Sequence, residues 1–252
     1  MAQKIIISGC GGRMGQVVEN ICSADPDVTV VAGFDVNPVE RDYPIYASPA
    51  DFVGEADAVI DFSNPAALDN LLAFCTERKV PLVLATTGFS DAQLEQIKEA
   101  SKQVAIFRSA NMSLGINVLL ELVKKAATVL GDSYDIEIVE KHHNRKVDAP
   151  SGTALMIADA AASGLNFEPE YVYERHSVRQ SRDKKEIGIS AMRGGTIVGV
   201  HEIMFAGRDE IIEIKHTAMS REIFANGAVK AAKYLAVGRA PGMYDMSMLV
   251  QE

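Results

Sequence analysis

The 252-residue chain has no run of about eighteen apolar residues, the length a helix needs to cross a bilayer, so no membrane-spanning helix is expected. Its opening residues, Met1-Ala-Gln-Lys-Ile-Ile-Ile-Ser, lack the long apolar stretch of a secretory leader and read as a first strand. Cysteine is scarce. Cys10, Cys22 and Cys75 have no metal-ligand spacing and are odd in number, so no metal site is expected and a reducing cytoplasm is. Positive charge is in deficit. The 25 Lys+Arg against 34 Asp+Glu leave a net charge of −9, which argues against nucleic acid as the main partner. Low-complexity tracts and long internal repeats are absent. What remains, 48% hydrophobic and 23% charged, is ordinary for a globular protein of one large domain or two smaller ones.

Against this acidic background one segment stands out. His142 to Thr153 reads His-His-Asn-Arg-Lys-Val-Asp-Ala-Pro-Ser-Gly-Thr. A small anion would be repelled by the average surface, but His142, His143, Arg145 and Lys146 could hold it. The Pro150-Ser151-Gly152-Thr153 turn then opens a helix, and a helix start carries unpaired N–H donors and partial positive charge. Basic side chains and a helix start converging on one spot suggest a pocket for a dicarboxylate.

The first half reads as a nucleotide-binding pattern. Lys4 to Ser8 is a short β-branched strand, followed by Gly9-Cys10-Gly11-Gly12-Arg13-Met14-Gly15. A helix is expected over Gln16 to Ser23, and a second strand over Val28 to Phe34, ending at Asp35. Strand, glycine turn, helix, strand and acid form a dinucleotide fingerprint: glycines admit the pyrophosphate, and the acid takes the ribose hydroxyls. The glycines with the right period are Gly9, Gly12 and Gly15, a departure from the strict motif. Further strands are expected over Ala58 to Phe62, Pro81 to Ala85 and Val104 to Arg108. Helices over Ala66 to Arg78 and Ser90 to Ser101 alternate with them, the latter capped by Ser90 with Gln93. Such alternation implies a mostly parallel sheet whose ligands bind beyond the strands' carboxyl ends. The loops Gly9–Gly15, Phe62–Pro65, Thr86–Gly88 and Ser109–Met112 should gather there.

Beyond a long amphipathic helix, Leu114 to Leu130, the strands change character. Tyr134 to Glu140 and parts of Ile187–Met192, Ile197–Phe205 and Glu210–Thr217 alternate polar with apolar residues, the mark of a sheet with one buried face. A second domain with an open mixed or antiparallel sheet is expected, its free face inviting self-association. Tyr171 to Glu186 reads as a long basic loop, either solvated or crossing to a neighbouring subunit. A helix over Phe224 to Val237 closes back on the first domain. The expected fold is thus α/β: a dinucleotide-binding domain, 1–113 and 221–252, and a smaller α+β domain, 114–220, for substrate binding and oligomerisation.

The segment Glu140-Lys141-His142-His143-Asn144-Arg145-Lys146-Val147-Asp148-Ala149-Pro150-Ser151-Gly152-Thr153-Ala154 resembles the signature of the 4-hydroxy-tetrahydrodipicolinate reductase family. Gly9 to Gly15, Asp61-Phe62-Ser63, Thr86-Thr87-Gly88-Phe89, Asn111 to Gly115, Ser220-Arg221 and Phe224 to Ala228 match as well, so the resemblance spans essentially the whole chain. It implies a Rossmann-type fold and a cytoplasmic homotetramer. It also implies NADH- or NADPH-dependent reduction of a cyclic imine dicarboxylate on the route to diaminopimelate and lysine. By the same resemblance His142 is the acid/base residue and Lys146 the proton donor, while His143, Gly152 and Thr153 contact substrate. Gly9, Cys10, Gly11, Gly12, Arg13 and Met14 form the pyrophosphate loop, and Asp35 binds the ribose. Ala85, Thr86, Thr87 and Ser109, Ala110, Asn111, Met112 lie near the nicotinamide.

Three departures matter. Ala85 stands where many members have Gly, and Cys10 where Ala is usual. Asp35 is followed by Val36 and Asn37, where some members place an Arg for the 2′-phosphate of NADPH, which favours NADH. Arg41 or Arg13 could still reach that phosphate. Two other classes remain: another nicotinamide-dependent oxidoreductase of a small dicarboxylate, and a non-catalytic dinucleotide sensor. A thiol-dependent aldehyde dehydrogenase needs a nucleophilic Cys, and neither Cys10 in the glycine loop nor Cys75 in a helix suits that task.

Overall fold

A computed structural model describes residues 2–37, 39–131 and 133–251. The chain forms two compact units, Met1–Leu114 with Glu222–Glu252, and Gly115–Arg221.

The first unit is built on seven strands: β1 (Gln3–Ser8), β2 (Val28–Phe34), β3 (Ile45–Tyr46), β4 (Ala58–Asp61), β5 (Leu82–Leu84), β6 (Ala105–Arg108) and β12 (Gly242–Tyr244). All pairings are parallel, in the order β12-β6-β5-β4-β1-β2-β3. Winding runs outward from β1 in one direction through β2 and β3, then restarts at β4 in the other. This is the Rossmann arrangement, with its switch point between β1 and β4. Ile5, Ile6 and Ile7 are all fully buried, as a strand covered on both faces requires. Helices α1 (Arg13–Ala24) and α6 (Glu222–Ala236) share one apolar core with Ile5, Ile7 and Phe107, while α2 (Leu68–Arg78) and α3 (Asp91–Ser101) share another with Ile6 and Ile106. Ser90 and Gln93 close the capping box that starts α3. Helix α7 (Met246–Gln251) follows β12 and buries Met246 against the first of these cores.

Two short strands, β3 and β12, escape a sequence reading because neither has more than three residues and both lie at sheet edges. Helix α1 starts earlier than expected, at Arg13, so the last residues of the glycine turn already belong to its first turn.

In the second unit α4 (Leu114–Leu130) and α5 (Gly152–Ala162) pack on a five-stranded sheet, β7 (Asp135–His142), β8 (Glu170–Val172), β9 (Glu186–Arg193), β10 (Gly199–Ala206) and β11 (Ile211–Ala218). Its order is β11-β10-β7-β9-β8. It is mixed: β10 is antiparallel to β7 and β11, whereas β7, β9 and β8 run parallel. Alternation along β7 buries Ile136, Ile138, Glu140 and His142 on one face. On the other face Val139, Val200 and Met204 are half-buried, and Met192 and Ile211 are exposed.

The segment Tyr171–Glu186, expected as a loop, contributes β8 at its start and is otherwise loop up to β9, with Arg175 and Arg179 exposed and Arg182 half-buried. Arg175 pairs with Glu137 at 2.8 Å and with Glu186, and Arg182 pairs with Asp135 at 3.0 Å and Glu137 at 3.1 Å. These two cations neutralise acids of their own sheet.

Candidate functional site

In the first unit a cavity of about 740 Å³ opens at the carboxyl ends of β1, β2 and β4, lined by Gly9, Gly11, Gly12, Asp35, Phe62 and Asn64 among others. The geometry there is that of a phosphate cradle. Gly9 has φ +77°, and a Cβ on it would stand 2.7 Å from the Phe62 carbonyl oxygen. A Cβ on Gly15 would meet the Gly9 oxygen at 2.3 Å, so this close packing of α1 on its turn needs glycine. Gly12 caps α1 without any side-chain acceptor, which leaves the first N–H groups of a twelve-residue helix for an anion. Asp35 accepts the Gly11 N–H at 2.8 Å through Oδ2 and the Asn37 N–H at 2.9 Å through Oδ1. The residues present thus fit a dinucleotide: a glycine cradle, a bare helix start and an acid at the tip of β2.

Cys10 takes part in this loop through its backbone only. Its side chain is fully buried, its Sγ packed at Gly33, and burial pushes the thiol up to about 11. Cys75 is buried within α2, and burial raises its thiol too. Neither is a nucleophile at neutral pH. Arg13 and Met14 open α1. Ala85, Thr86 and Thr87 follow β5, and Ser109, Ala110, Asn111 and Met112 follow β6; these loops do not line the cavity. Met112 is buried in the apolar core, and Asn111 accepts the Ser113 N–H. Residues that the sequence did not single out also line the cavity, including Ala67, Asn70 and Leu71. Asn64 accepts the Ala66 N–H and starts a short 3-10 turn, Pro65–Ala67, ahead of α2. An Asn-Pro pair is the usual signal of such a helix entry, and it reads equally as a plain turn.

In the second unit the predicted basic segment is built from two pieces. His142 is the last residue of β7 rather than the start of a loop, because β9 pairs Arg193 opposite it. Its Nδ1 lies 2.6 Å from Glu140 Oε2. Glu140 is fully buried and also accepts two bonds from Arg193, at 2.7 and 2.8 Å, and the Ser151 N–H at 3.0 Å. Burial works to raise this carboxyl, but the bonds from Arg193, His142 and Ser151 outweigh it and hold Glu140 below its usual range.

Ser151 is the N-cap of α5, its Oγ accepting the Ala154 N–H at 3.2 Å and lying 3.1 Å from His201 Nε2. Both its polar groups serve the scaffold, and the residue is buried. Gly152 is exposed and Thr153 half-buried at the same helix start. Lys146 pairs with Asp148 at 2.8 Å, and this pairing holds Asp148 below the ordinary carboxyl range. His143 is half-buried. Its proton affinity is lowered first by desolvation and then by the cations Arg221 and Arg145. Burial drives His201 down to about 4 and lowers His216 as well.

The sequence reading missed Glu140 as a site residue, along with Arg193 and His201. Glu140 was visible two residues before His142 on an alternating strand, which puts both on one face. Arg193 and His201 carry no local signal, since only the pairing of β9 and β10 with β7 brings them in.

Models of the dihydrodipicolinate reductase N-terminus and C-terminus match residues 3–112 and 115–250. The 4-hydroxy-tetrahydrodipicolinate reductase of Caldanaerobacter subterraneus subsp. tengcongensis is 54% identical over 252 residues, covering 100% of both chains. That of Clostridium botulinum is 48% identical over 98% of both. Among solved structures, a dipicolinate-bound dihydrodipicolinate reductase from Paenisporosarcina sp. TG-14 superposes with TM-score 0.80 at 21% identity, over 97% of this chain and 98% of that one. A probable dehydrogenase from Thermotoga maritima shares the fold at TM-score 0.60 and 14% identity, over 96% and 91%.

Proposed function

The chain belongs to the dihydrodipicolinate reductase family, and on that premise we propose how its residues divide the work of the reaction. That reaction is the NAD(P)H-dependent reduction of 4-hydroxy-tetrahydrodipicolinate to tetrahydrodipicolinate. It consumes one hydride and one proton and releases one water molecule.

One observation carries the assignment of roles. Within His142–Thr153 a histidine backed by a buried carboxylate, a lysine and the start of α5 belong to one unit. The N–H groups at Gly152 and Thr153 bind one carboxylate of the ring, as helix starts do. His143 and Lys146 meet the other, Lys146 exchanging its Asp148 partner for the substrate. A bound reduced nicotinamide supplies the hydride. Negative charge that builds at the imine end of the ring is stabilised by Lys146 Nζ and by the Nε2–H of a protonated His142, one of which returns the proton. Ser151 acts through its cap on α5.

For the dinucleotide, Gly9, Cys10, Gly11, Gly12, Arg13 and Met14 hold the pyrophosphate through the backbone and the start of α1. Asp35 takes the ribose hydroxyls. Ala85, Thr86, Thr87 and Ser109 to Met112 flank the nicotinamide. NADH is the preferred donor: Asp35 would repel a 2′-phosphate, and Arg41 is committed to Glu19 at 2.8 Å and to the Cys10 carbonyl at 3.1 Å. We assign 1–113 with 221–252 to dinucleotide binding, and 114–220 to substrate binding and assembly. The assembly is a cytoplasmic homotetramer in which a second copy covers the outer face of the five-stranded sheet. No helix among the described residues is long and apolar enough to cross a membrane.

The test is a spectrophotometric assay of NADH loss with freshly made substrate. His142→Ala and Lys146→Ala should each lower kcat at least about a hundredfold, the usual scale for such groups. Near-wild-type turnover in both would refute these roles, and no turnover in the unaltered protein would refute the activity.

A further inference from the structure

Glu140 has four lone-pair positions, and all four are taken. Oε1 accepts the Ser151 N–H at 3.0 Å and one Arg193 nitrogen at 2.7 Å; Oε2 faces the other Arg193 nitrogen at 2.8 Å and His142 Nδ1 at 2.6 Å. A guanidinium and a peptide N–H can only donate, and an ionised carboxylate can only accept. His142 must therefore supply the fourth donor, so its proton sits on Nδ1. In the neutral ring the free nitrogen is then Nε2, the atom at which His142 takes up and gives back its second proton. It faces Gly199 on β10, where a Cβ would come within 3.1 Å of it.

We propose that Glu140 is the positioning residue of His142, a buried carboxylate clamped by Arg193 and the Ser151 N–H that keeps the imidazole proton on Nδ1 and leaves Nε2 as the reactive nitrogen. This rests on the reading of His142 as a proton-handling group. Stability does not by itself call for a charge at 140, because a buried ion pair is often no better than well-packed apolar residues. Glu140 lies on the face that carries Ile136 and Ile138, where an apolar side chain would fit the core. An apolar residue could not fix a tautomer. The clamp has a second arm. Ser151 joins the Glu140 carboxylate to His201, whose ring stands edge-to-face with His142 at 5.2 Å. His201 is neutral at physiological pH, so the ring beside His142 carries no competing charge.

The experiment pairs turnover of the holoenzyme with ¹⁵N spectroscopy of the histidine rings at alkaline pH, the His142 signals being assigned by their loss in His142→Ala. The intact protein should show a protonated Nδ1 and a bare Nε2 at His142. Glu140→Gln should lower kcat about tenfold or more, part of the roughly 10²–10⁴ that a positioned acid–base group supplies, while KM changes less than about twofold. Its His142 should populate both tautomers. Should Glu140→Gln fail to fold, Glu140→Leu with Arg193→Met removes both charges together, leaves no orphan ion and should give the same two results. A protonated Nε2 in the intact protein overturns the proposal whatever the kinetics. So does wild-type kcat in either variant, and so does a slow variant whose tautomer is unchanged, which marks a structural role only. If His142→Ala turns over normally while the tautomer is as stated, the reading of His142 fails and the pinning by Glu140 stands.

Discussion

At Asp35 the choice of cofactor comes down to single atoms. Its carboxylate is shared between the N–H groups of Gly11 and Asn37, and no cation stands beside it at positions 36 or 37. Arg41 is the nearest candidate for a 2′-phosphate in the sequence, but leaving Glu19 and the Cys10 carbonyl would cost it one half-buried and one buried partner. NADH should therefore show the higher kcat/KM in steady-state kinetics, and Val36→Arg should move the ratio toward NADPH. A clear preference of the unaltered protein for NADPH would contradict the reading. Arg193 shows the energetic side of a residue-scale network. Arg193→Ala would strand the fully buried Glu140 carboxylate, a loss on the order of 3 kcal/mol, to be measured by urea denaturation.

At the scale of elements, α6 returns to the first unit and lies so close to the loop after β6 that a Cβ on Gly227 would fall 1.7 Å from the Met112 carbonyl oxygen. That oxygen is backbone, so it cannot step aside as a long side chain can. Gly227→Ala should cost about 1–3 kcal/mol in unfolding free energy. It should also disturb the Asn111–Met112 turn, seen as weakened NADH binding. Unchanged melting and unchanged dissociation constant would show that α6 can slide at no cost. The strands illustrate a different constraint. β7 keeps its alternation to the last residue, yet its final inward positions are Glu140 and His142. Polar residues inside a sheet are tolerated only when fully partnered, and here the partners come from β9, β10 and the α5 cap.

For the whole molecule, His201 ties stability to pH. Unfolded, it titrates near its ordinary value of 6.5; folded, burial holds it at about 4. Above about pH 6.5 neither form binds the proton and the full stability is present. As pH falls toward 4 the unfolded chain takes up a proton that the folded one refuses, so stability falls, by on the order of 3 kcal/mol, and this contribution levels off below about pH 4. His216 shifts in the same direction. Urea melts between about pH 7 and pH 4 should show the decline, and His201→Gln should flatten it; parallel curves would remove His201 as the cause. The proposed tetramer predicts sedimentation at four times the chain mass. A charge on the exposed sheet face, Met192→Glu, should shift it toward smaller species.

Much of this molecule follows from local pattern. Helix α4, strand β2 and the Ser90 cap lie where periodicity and capping chemistry put them, because such signals act within one turn or one strand. The glycine cradle, Asp35 and the His142–Thr153 segment were legible for the same reason: each packs its chemistry into a few consecutive residues. Tertiary structure decided the rest. Edge strands β3 and β12 exist through pairing alone, and the mixed order β11-β10-β7-β9-β8 depends on contacts far apart in the chain. The same pairing sets Arg193 opposite His142 and gives the buried Glu140 the donors it needs. A sequence can show that a carboxylate stands two residues before a histidine; the guanidinium that clamps that carboxylate lies 53 residues away from it, and only the fold closes that distance.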